Sequence, residues 1–379
     1  NKRFGGMCVD ERKHLYYNML QYWQGVIKKY KPDIIIFPVL PHTIYNYILY
    51  ILAKLFNIKT IMFENSDVSD RLLLYNNWVE GSTHLKKTIC RNQGKSFVVR
   101  DLESDLQKYY QLQVDPNNDA TPNYIKDYQA DNSGFRLLKR KLKTITVSVL
   151  DGTIFKKAPR FIINKFKPNL KKEYLSLQIK PEIEKKFIYV PLNFQPERTT
   201  SPQGDMFVDQ ILMIEILAAS LPKDWVIYVK EHPSQWMFKS KINYSSCRYR
   251  GYYEKIARLK NVFLIPVNIN TYFLINRSLA VATVTGTAGW EALLRCKPTI
   301  IFGYPWYRDC PCLFKVNNVE SCKEAFEKIT NNFQVKEQEI INYLKSFDES
   351  TIHGYLEELD APSSKLTKKE NKKRIVRAI

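Results

Sequence analysis

A chain of 379 residues, 45% hydrophobic and 13% aromatic, can fill one or two buried cores, which excludes a disordered or fibrous polypeptide. Its seven cysteines, at 8, 90, 247, 296, 310, 312 and 322, form no Cys-x-x-Cys pair and no Cys/His set with zinc spacing. Neither a zinc module nor a disulfide scaffold is expected, and reduced thiols of a cytosolic protein are the simplest reading. The net charge of +20 is unevenly placed: residues 136–186 hold fifteen Lys/Arg against four Asp/Glu, and residues 365–377 hold seven against one. Such stretches suit an anionic membrane surface or an anionic glycan; nucleic acid competes, and a solvated Lys-rich face would look the same.

In chain order, residues 15–30 read as an amphipathic helix. Ile34–Phe37 is a short apolar run of buried-strand type, Tyr45–Phe56 a helix stopped by Asn57, and Lys59–Phe63 a second strand. The uncharged run Ile34–Ala53 has membrane length, but Pro38, Pro41, His42 and Asn46 break it into strand, turn and helix. The loops after the two strands, Pro38–Thr43 and Glu64–Ser69, open on one sheet edge, where α/β proteins bind ligands. Residues 101–180 read as a basic, partly helical insertion and connection.

A second α/β unit begins at Phe187–Pro191. It alternates strands at Trp225–Val229, Val262–Ile265, Ala280–Val284 and Thr299–Phe302 with helices at Phe207–Ser220, Tyr252–Leu259, Thr271–Asn276 and Ala288–Arg295. That alternation specifies a doubly wound parallel sheet. The expected fold class is therefore α/β, with two Rossmann-like domains facing a cleft: 1–180, 181–330, and closing helices with a basic tail over 331–379.

Three strand-end loops of the second unit carry chemistry. In Val284-Thr-Gly-Thr-Ala-Gly-Trp-Glu291 a strand gives way to a helix whose free N–H groups form an anion site. Thr285 and Thr287 add hydroxyls, Gly286 permits close approach, and Glu291, one turn on, suits two ribose hydroxyls. Lys230-Glu-His232-Pro233 follows a neighbouring strand; Lys230 and His232 can meet a nucleotide phosphate, and Pro233 stiffens the turn. The loop from Pro191 to Gly204 offers Gln195, Arg198, Thr199, Thr200 and Ser201 to phosphate or acceptor hydroxyls. No Asp-x-Asp, Walker A or Gly-x-Ser-x-Gly occurs, so no metal-held diphosphate and no cofactor are expected.

The stretches YVPLNFQPERTTSPQG (189–204), YVKEHP (228–233), NVFLI (261–265) and TVTGTAGWEALLRCKPTIIFG (283–303), with KPDIIIF and IKTIMFE in the first unit, resemble the bacterial capsule polysaccharide biosynthesis family. The resemblance implies a GT-B fold and a glycosyltransferase, often one using a CMP-activated ulosonic acid such as Kdo. It implies that His232 and Pro233 contact the nucleotide phosphate and that Thr285, Gly286, Thr287 and Glu291 line the nucleotide pocket. Transfer then needs a carboxylate from the first domain, with Glu64 first and Asp67 next, and His42 as an alternative base. Arg71 would pair with the carboxylate of an ulosonic-acid donor. The expected partners are a nucleotide-sugar donor, an oligosaccharide or lipid-linked glycan acceptor and an anionic membrane surface, with no nucleic acid. The expected location is cytoplasmic, peripheral at the inner face of the plasma membrane. A sugar-nucleotide epimerase or hydrolase on the same fold, and a non-enzymatic basic binder, are the other readings; three loops converging on one sheet edge count against the latter.

Overall fold

The computed structural model describes residues 7–68, 70–115, 118, 134–155, 158–159, 169–236, 247–356, 364 and 366–379. Of the loop expected at Pro116–Asp119, all but Asn118 lies outside these residues, as do Ser69, Lys365 and part of the basic stretch 136–186.

Helix α1 (Val9–Tyr30) has Asp10 and Glu11 in its first turn and Lys28 and Lys29 in its last, matching the helix dipole at both ends. It stops at Lys31, which turns left-handed at φ 44° before Pro32. Strand β1 (Ile34–Phe37), helix α2 (Ile44–Leu55) and strand β2 (Lys59–Asn65) form the expected strand–helix–strand unit, with β1 parallel to β2 from Ile34↔Lys59 to Phe37↔Met62. Thr43 caps α2 by accepting from the Asn46 N–H. The sheet then departs from the all-parallel pattern. Strand β3 (Arg71–Tyr75) folds straight back antiparallel on β2, and β10 (Ile352–His353) adds antiparallel to β3. A two-strand reversal needs only a short turn.

Helices α3 (Thr83–Asn92), α4 (Ser104–Val114), α5 (Gly134–Leu150) and α6 (Leu170–Leu177) connect to the second unit. There β4 (Lys186–Pro191), α7 (Gln210–Ser220), β5 (Trp225–Lys230), α8 (Tyr252–Ala257), β6 (Val262–Leu264), α9 (Thr271–Arg277), β7 (Ala280–Thr283), α10 (Thr287–Leu294), β8 (Thr299–Ile301) and β9 (Leu313–Lys315) alternate. All six strands are parallel in the order β6-β5-β4-β7-β8-β9. This is a doubly wound sheet whose chain reverses direction between β4 and β7, the switch point at which such sheets open a crevice. Strand β5 is buried along its whole length, as its unbroken Trp-Val-Ile-Tyr-Val run requires of a central parallel strand.

Helix α11 (Val319–Thr330) covers the second sheet, and α12 (Glu337–Asp348) crosses back to the first; α13 (Lys368–Ala378) follows β10. Of the stretch expected as closing helices and basic tail, residues 331–379, α12 and β10 both pack on the first unit. Ile340, Tyr343, Leu344 and Phe347 of α12 join Phe37, Met62, Leu73 and Tyr75 of the first sheet and Trp290, Leu293 and Trp306 of the second in one apolar core. The two sheets are thus welded by a shared core, which fixes how their strand-end loops meet. Among the described residues no helix is long and apolar enough to cross a membrane.

Candidate active site

The floor of the crevice is a buried polar network that joins the three loops of the second sheet. Asn193 and Gln210 exchange two hydrogen bonds, Asn193 N–H to Gln210 Oε1 at 2.7 Å and Gln210 Nε2 to the Asn193 carbonyl at 3.0 Å. Asn193 Nδ2 donates to Thr285 Oγ1 at 3.1 Å, and Thr283 Oγ1 donates to Asn193 Oδ1 at 3.2 Å. Gln195 and Gln235 close a second reciprocal pair at 3.1 and 3.0 Å. Arg248, fully buried, donates to Glu231 at 2.9 Å, to the Asn193 carbonyl at 3.1 Å and to Gln195 Oε1. Tyr253 adds its hydroxyl to Glu231 at 2.5 Å. Every member is engaged, so the network specifies one arrangement of the loops.

This changes what several loop residues do. Gln195 and Thr200 are buried and face inward; the Thr200 hydroxyl donates to the Glu197 carbonyl at 2.9 Å. Thr285 spends its hydroxyl on the Thr199 carbonyl at 2.5 Å, clasping the loop over residues 193–204 to the β7 turn. Lys230 is buried, its ammonium held by the Ile269 carbonyl and Thr271 Oγ1, both at 2.8 Å, and burial pushes its pKa down to about 8. Of the residues expected to donate to a ligand, these four act as supports because the loops turn their polar groups toward each other. Gly286 and Gly289 serve the same packing. A Cβ at Gly286 would meet Thr283 Oγ1 at 2.8 Å, and one at Gly289 would meet the Tyr307 hydroxyl at 2.4 Å. Thr199 and Ser201 remain on the outer side of the loop, with Thr199 Oγ1 3.5 Å from Glu197 Oε2 and Ser201 exposed.

His232 is presented outward from this floor. Its Nδ1 accepts from the Ser234 N–H at 3.2 Å and its own N–H is tied to Glu231 Oε1 at 2.7 Å. Burial pushes its pKa down to about 4, so the ring is neutral at physiological pH. With Nδ1 accepting, the proton belongs on Nε2, which makes His232 a fixed neutral donor. Phe194 packs beside the ring at 5.7 Å between centroids, and Pro233 opens the turn that follows.

Across the crevice stand the carboxylates of the first sheet. Glu64, near the end of β2, is 2% exposed; Gln203 Nε2 donates to its Oε1 at 3.2 Å, while Oε2 has no hydrogen-bond partner among the described residues. Burial raises its pKa to about 7, against the lowering effects of the Arg198 charge, the Gln203 hydrogen bond and the Arg308 charge. Asp67 lies on the following turn and keeps a solvent-exposed face although protein surrounds its carboxyl. Thr287 Oγ1, from the first turn of α10, donates to it at 3.3 Å, and Trp306 Nε1 donates at 3.0 Å. Its pKa is raised by burial, partly offset by these two hydrogen bonds and by Arg198. Glu291, half-buried one turn into α10, is raised to about 7 by burial and by the Asp67 charge, with Arg295 and Lys230 opposing. Two elements far apart in sequence thus bring Asp67 and Glu291, two carboxyl groups with raised pKa, to one helix N-terminus, with Glu64 close enough to feel the Asp67 charge.

The remaining two candidates lie elsewhere. His42 is exposed, with Nδ1 3.0 Å from the Leu40 carbonyl of its own loop, and no contact joins it to Glu64 or Asp67. Arg71 is wholly buried and saturated: Asp105 at 2.8 and 2.9 Å, Glu103 at 3.0 Å, and Asp348 at 2.7 Å, a charge contact off the hydrogen-bond line. Its place at the start of β3 aims the guanidinium at α4 and α12, so pairing with a donor carboxylate is ruled out by occupancy. Arg308 was missed. It is 4% exposed, stacked over Tyr75 and Tyr304, and its Nη2 lacks a hydrogen-bond partner among the described residues. Asn193, Gln203, Gln210, Arg248 and Trp306 were missed too. Of these only Gln210, a polar residue opening a largely apolar helix, carries a signal in the sequence.

Among the described residues no group of three or more His, Cys, Asp or Glu side chains is placed to hold a metal ion. Residues 183–339, the segment that builds this floor, match the model of the capsule polysaccharide biosynthesis protein family. Over 81 residues the chain is 36% identical to the capsule polysaccharide modification protein LipA of Neisseria meningitidis serogroup B, a stretch that is 21% of this chain and 10% of that protein. Solved structures align at lower similarity. The Thermosulfurimonas dismutans KpsC beta-Kdo 2,4 transferase aligns over 85% of this chain and 80% of its own, at 12% identity and a TM-score of 0.40. The UDP-GlcNAc 2-epimerase of Methanocaldococcus jannaschii aligns over 91% and 82%, at 16% identity and a TM-score of 0.29. The similarity to the capsule polysaccharide biosynthesis protein family thus lies in residues 183–339, the segment that carries the three strand-end loops.

Proposed function

We propose that the chain is a glycosyltransferase that moves a sugar, best a CMP-activated Kdo or other ulosonic acid, onto a bacterial surface-polysaccharide acceptor. The observation that carries the reading is the meeting of Asp67 with Thr287, which sets a carboxylate of one sheet at the helix N-terminus of the other. An N-terminus suits the nucleotide phosphate, and the neutral Nε2–H of His232 is a donor for the same group. Arg198, half-buried and close enough to influence both Glu64 and Asp67, supplies a formal positive charge. With these donors the leaving group needs no divalent ion, and transfer is proposed to proceed in EDTA.

Asp67 is the carboxylate that reaches the reacting centre. It takes the proton of the acceptor hydroxyl as the bond from anomeric carbon to phosphate oxygen breaks, or attacks that carbon itself in a double displacement. Glu64 sits behind it, buried and able to hold a proton near neutral pH, and so limits negative charge next to the phosphate. Glu291 is positioned for the ribose. The acceptor is proposed to be glycan, oligosaccharide or lipid-linked, met at the inner face of the plasma membrane.

A thermal-shift panel of CMP, UDP, GDP and CDP tests the nucleotide. CMP should raise the melting temperature by about 4 °C or more at saturating concentration. His232→Ala should abolish the rise while leaving the unliganded melt unchanged. Equal shifts for all four nucleotides, or an undiminished CMP shift in His232→Ala, would refute the pocket.

A further inference from the structure

Helix α5 presents an apolar stripe to solvent. Phe135, Leu138, Leu142, Ile145 and Val149 recur at spacings of three and four and are 79, 53, 56, 52 and 57% exposed. At 100° per residue they fall on one face of the helix. The opposite character is just as regular: Gly134–Leu150 contains five Lys/Arg and no Asp/Glu. Lys139 and Lys143 are exposed and sit alongside the stripe. Ser148, 3% exposed, and half-buried Leu137 mark the side turned toward the protein. The helix is 17 residues long and carries charge at its middle, so it cannot span a bilayer. An apolar stripe beside a cationic one is the pattern of a helix that lies in a membrane surface.

We propose that α5 is the membrane-docking element of this chain, lying in the headgroup plane of an anionic bilayer. The five stripe residues enter the acyl boundary, and Lys139 and Lys143 meet lipid phosphates. The proposal rests on the reading that the acceptor is met at a membrane and specifies how. It differs from docking by charge alone, because a stripe of buried side chains resists salt that screens lysines. A nucleic-acid partner would use the lysines and leave the stripe in water.

Flotation of the full chain with phosphatidylglycerol-rich and with pure phosphatidylcholine vesicles tests it, with no nucleotide or acceptor present. The wild type should float with the anionic vesicles, and part of that binding should survive high salt. The triple variant Leu138→Asn/Leu142→Asn/Ile145→Asn should bind about tenfold or more weakly, with an unchanged melting temperature and unchanged turnover of a short soluble acceptor. Lys139→Gln/Lys143→Gln should lose binding mainly at low salt. In Leu142→Trp, brominated lipids should quench the added fluorescence. Wild-type protein that ignores anionic vesicles, or an Asn variant that binds as the wild type does, overturns the proposal. So does a wild-type dimer in free solution that the Asn variant turns into monomer, because a second copy would then cover the stripe. Intact flotation without any sugar transfer counts against the transferase reading alone.

Discussion

Glu64 and Glu231 are both carboxylates buried at strand ends, and their neighbours give them opposite roles. Glu231 has the Arg248 guanidinium at 2.9 Å and the Tyr253 hydroxyl at 2.5 Å, and it holds the backbone of the His232 turn. Glu64 has one amide donor and a bare oxygen, and its pKa rises to about 7. The sign of the consequence follows from proton counting. Between the unfolded carboxylate value and about 7 the folded chain binds the proton that the unfolded chain has released. Glu64 therefore costs nothing below the unfolded value, and stability is lost as pH rises through about 7. Glu64→Gln removes that penalty and keeps the size. We expect urea unfolding to show the variant matching the wild type at about pH 4 and exceeding it by roughly 1–3 kcal/mol at about pH 8, while transfer falls. A stability gap that does not change with pH would show that Glu64 is not the group holding the proton.

At the scale of elements, the strands and helices with unbroken apolar runs were legible, and the long-range pairings were not. Phe187–Pro191 and Trp225–Val229 are buried as their residues announce, whereas Ile34–Phe37, expected as a buried strand, lies at the sheet edge and leaves Ile34 and Ile36 exposed. Strand β3 escaped notice because Arg71-Leu-Leu-Leu-Tyr opens with a charge, and nothing nearby says that its partners are residues 103, 105 and 348. For the same reason Arg71 was read as a substrate residue. Its actual task is to tie β3 to α4 and α12, which also seats β10 through His353 against Glu103 at 3.1 Å. Removing the guanidinium strands carboxylates that face one another, and breaking a buried pair from one side costs about 3–5 kcal/mol. Arg71→Leu should lower the urea midpoint accordingly and leave the turnover of the folded fraction within a few-fold of wild type. Wild-type stability with loss of transfer would return Arg71 to the substrate. The loops were legible as a site because they share a sheet edge; which of their side chains face the ligand was not, because Thr285, Gln195 and Lys230 are claimed by partners up to 92 residues away.

For the molecule as a whole, the sheet order fixes where chemistry can occur. The chain changes side between β4 and β7, the loops after those strands are clasped by Asn193, Thr285 and the Thr199 carbonyl, and the shared core of Trp290, Trp306 and Tyr343 holds Asp67 of the first sheet against Thr287 of the second. Asp67 at the α10 N-terminus, with the neutral donor His232 on the same sheet edge, supports the proposed transfer to an acceptor over binding alone. The direct test is product analysis by mass spectrometry of wild type and Asp67→Asn, incubated in EDTA with a CMP-activated ulosonic acid, with and without a short soluble glycan acceptor. The account predicts that the wild type extends the glycan by one sugar and releases CMP in step, that release is slow without acceptor, and that Asp67→Asn is at least about a hundredfold slower. Release or epimerisation of the donor at the same rate without acceptor, or full activity of Asp67→Asn, would contradict it.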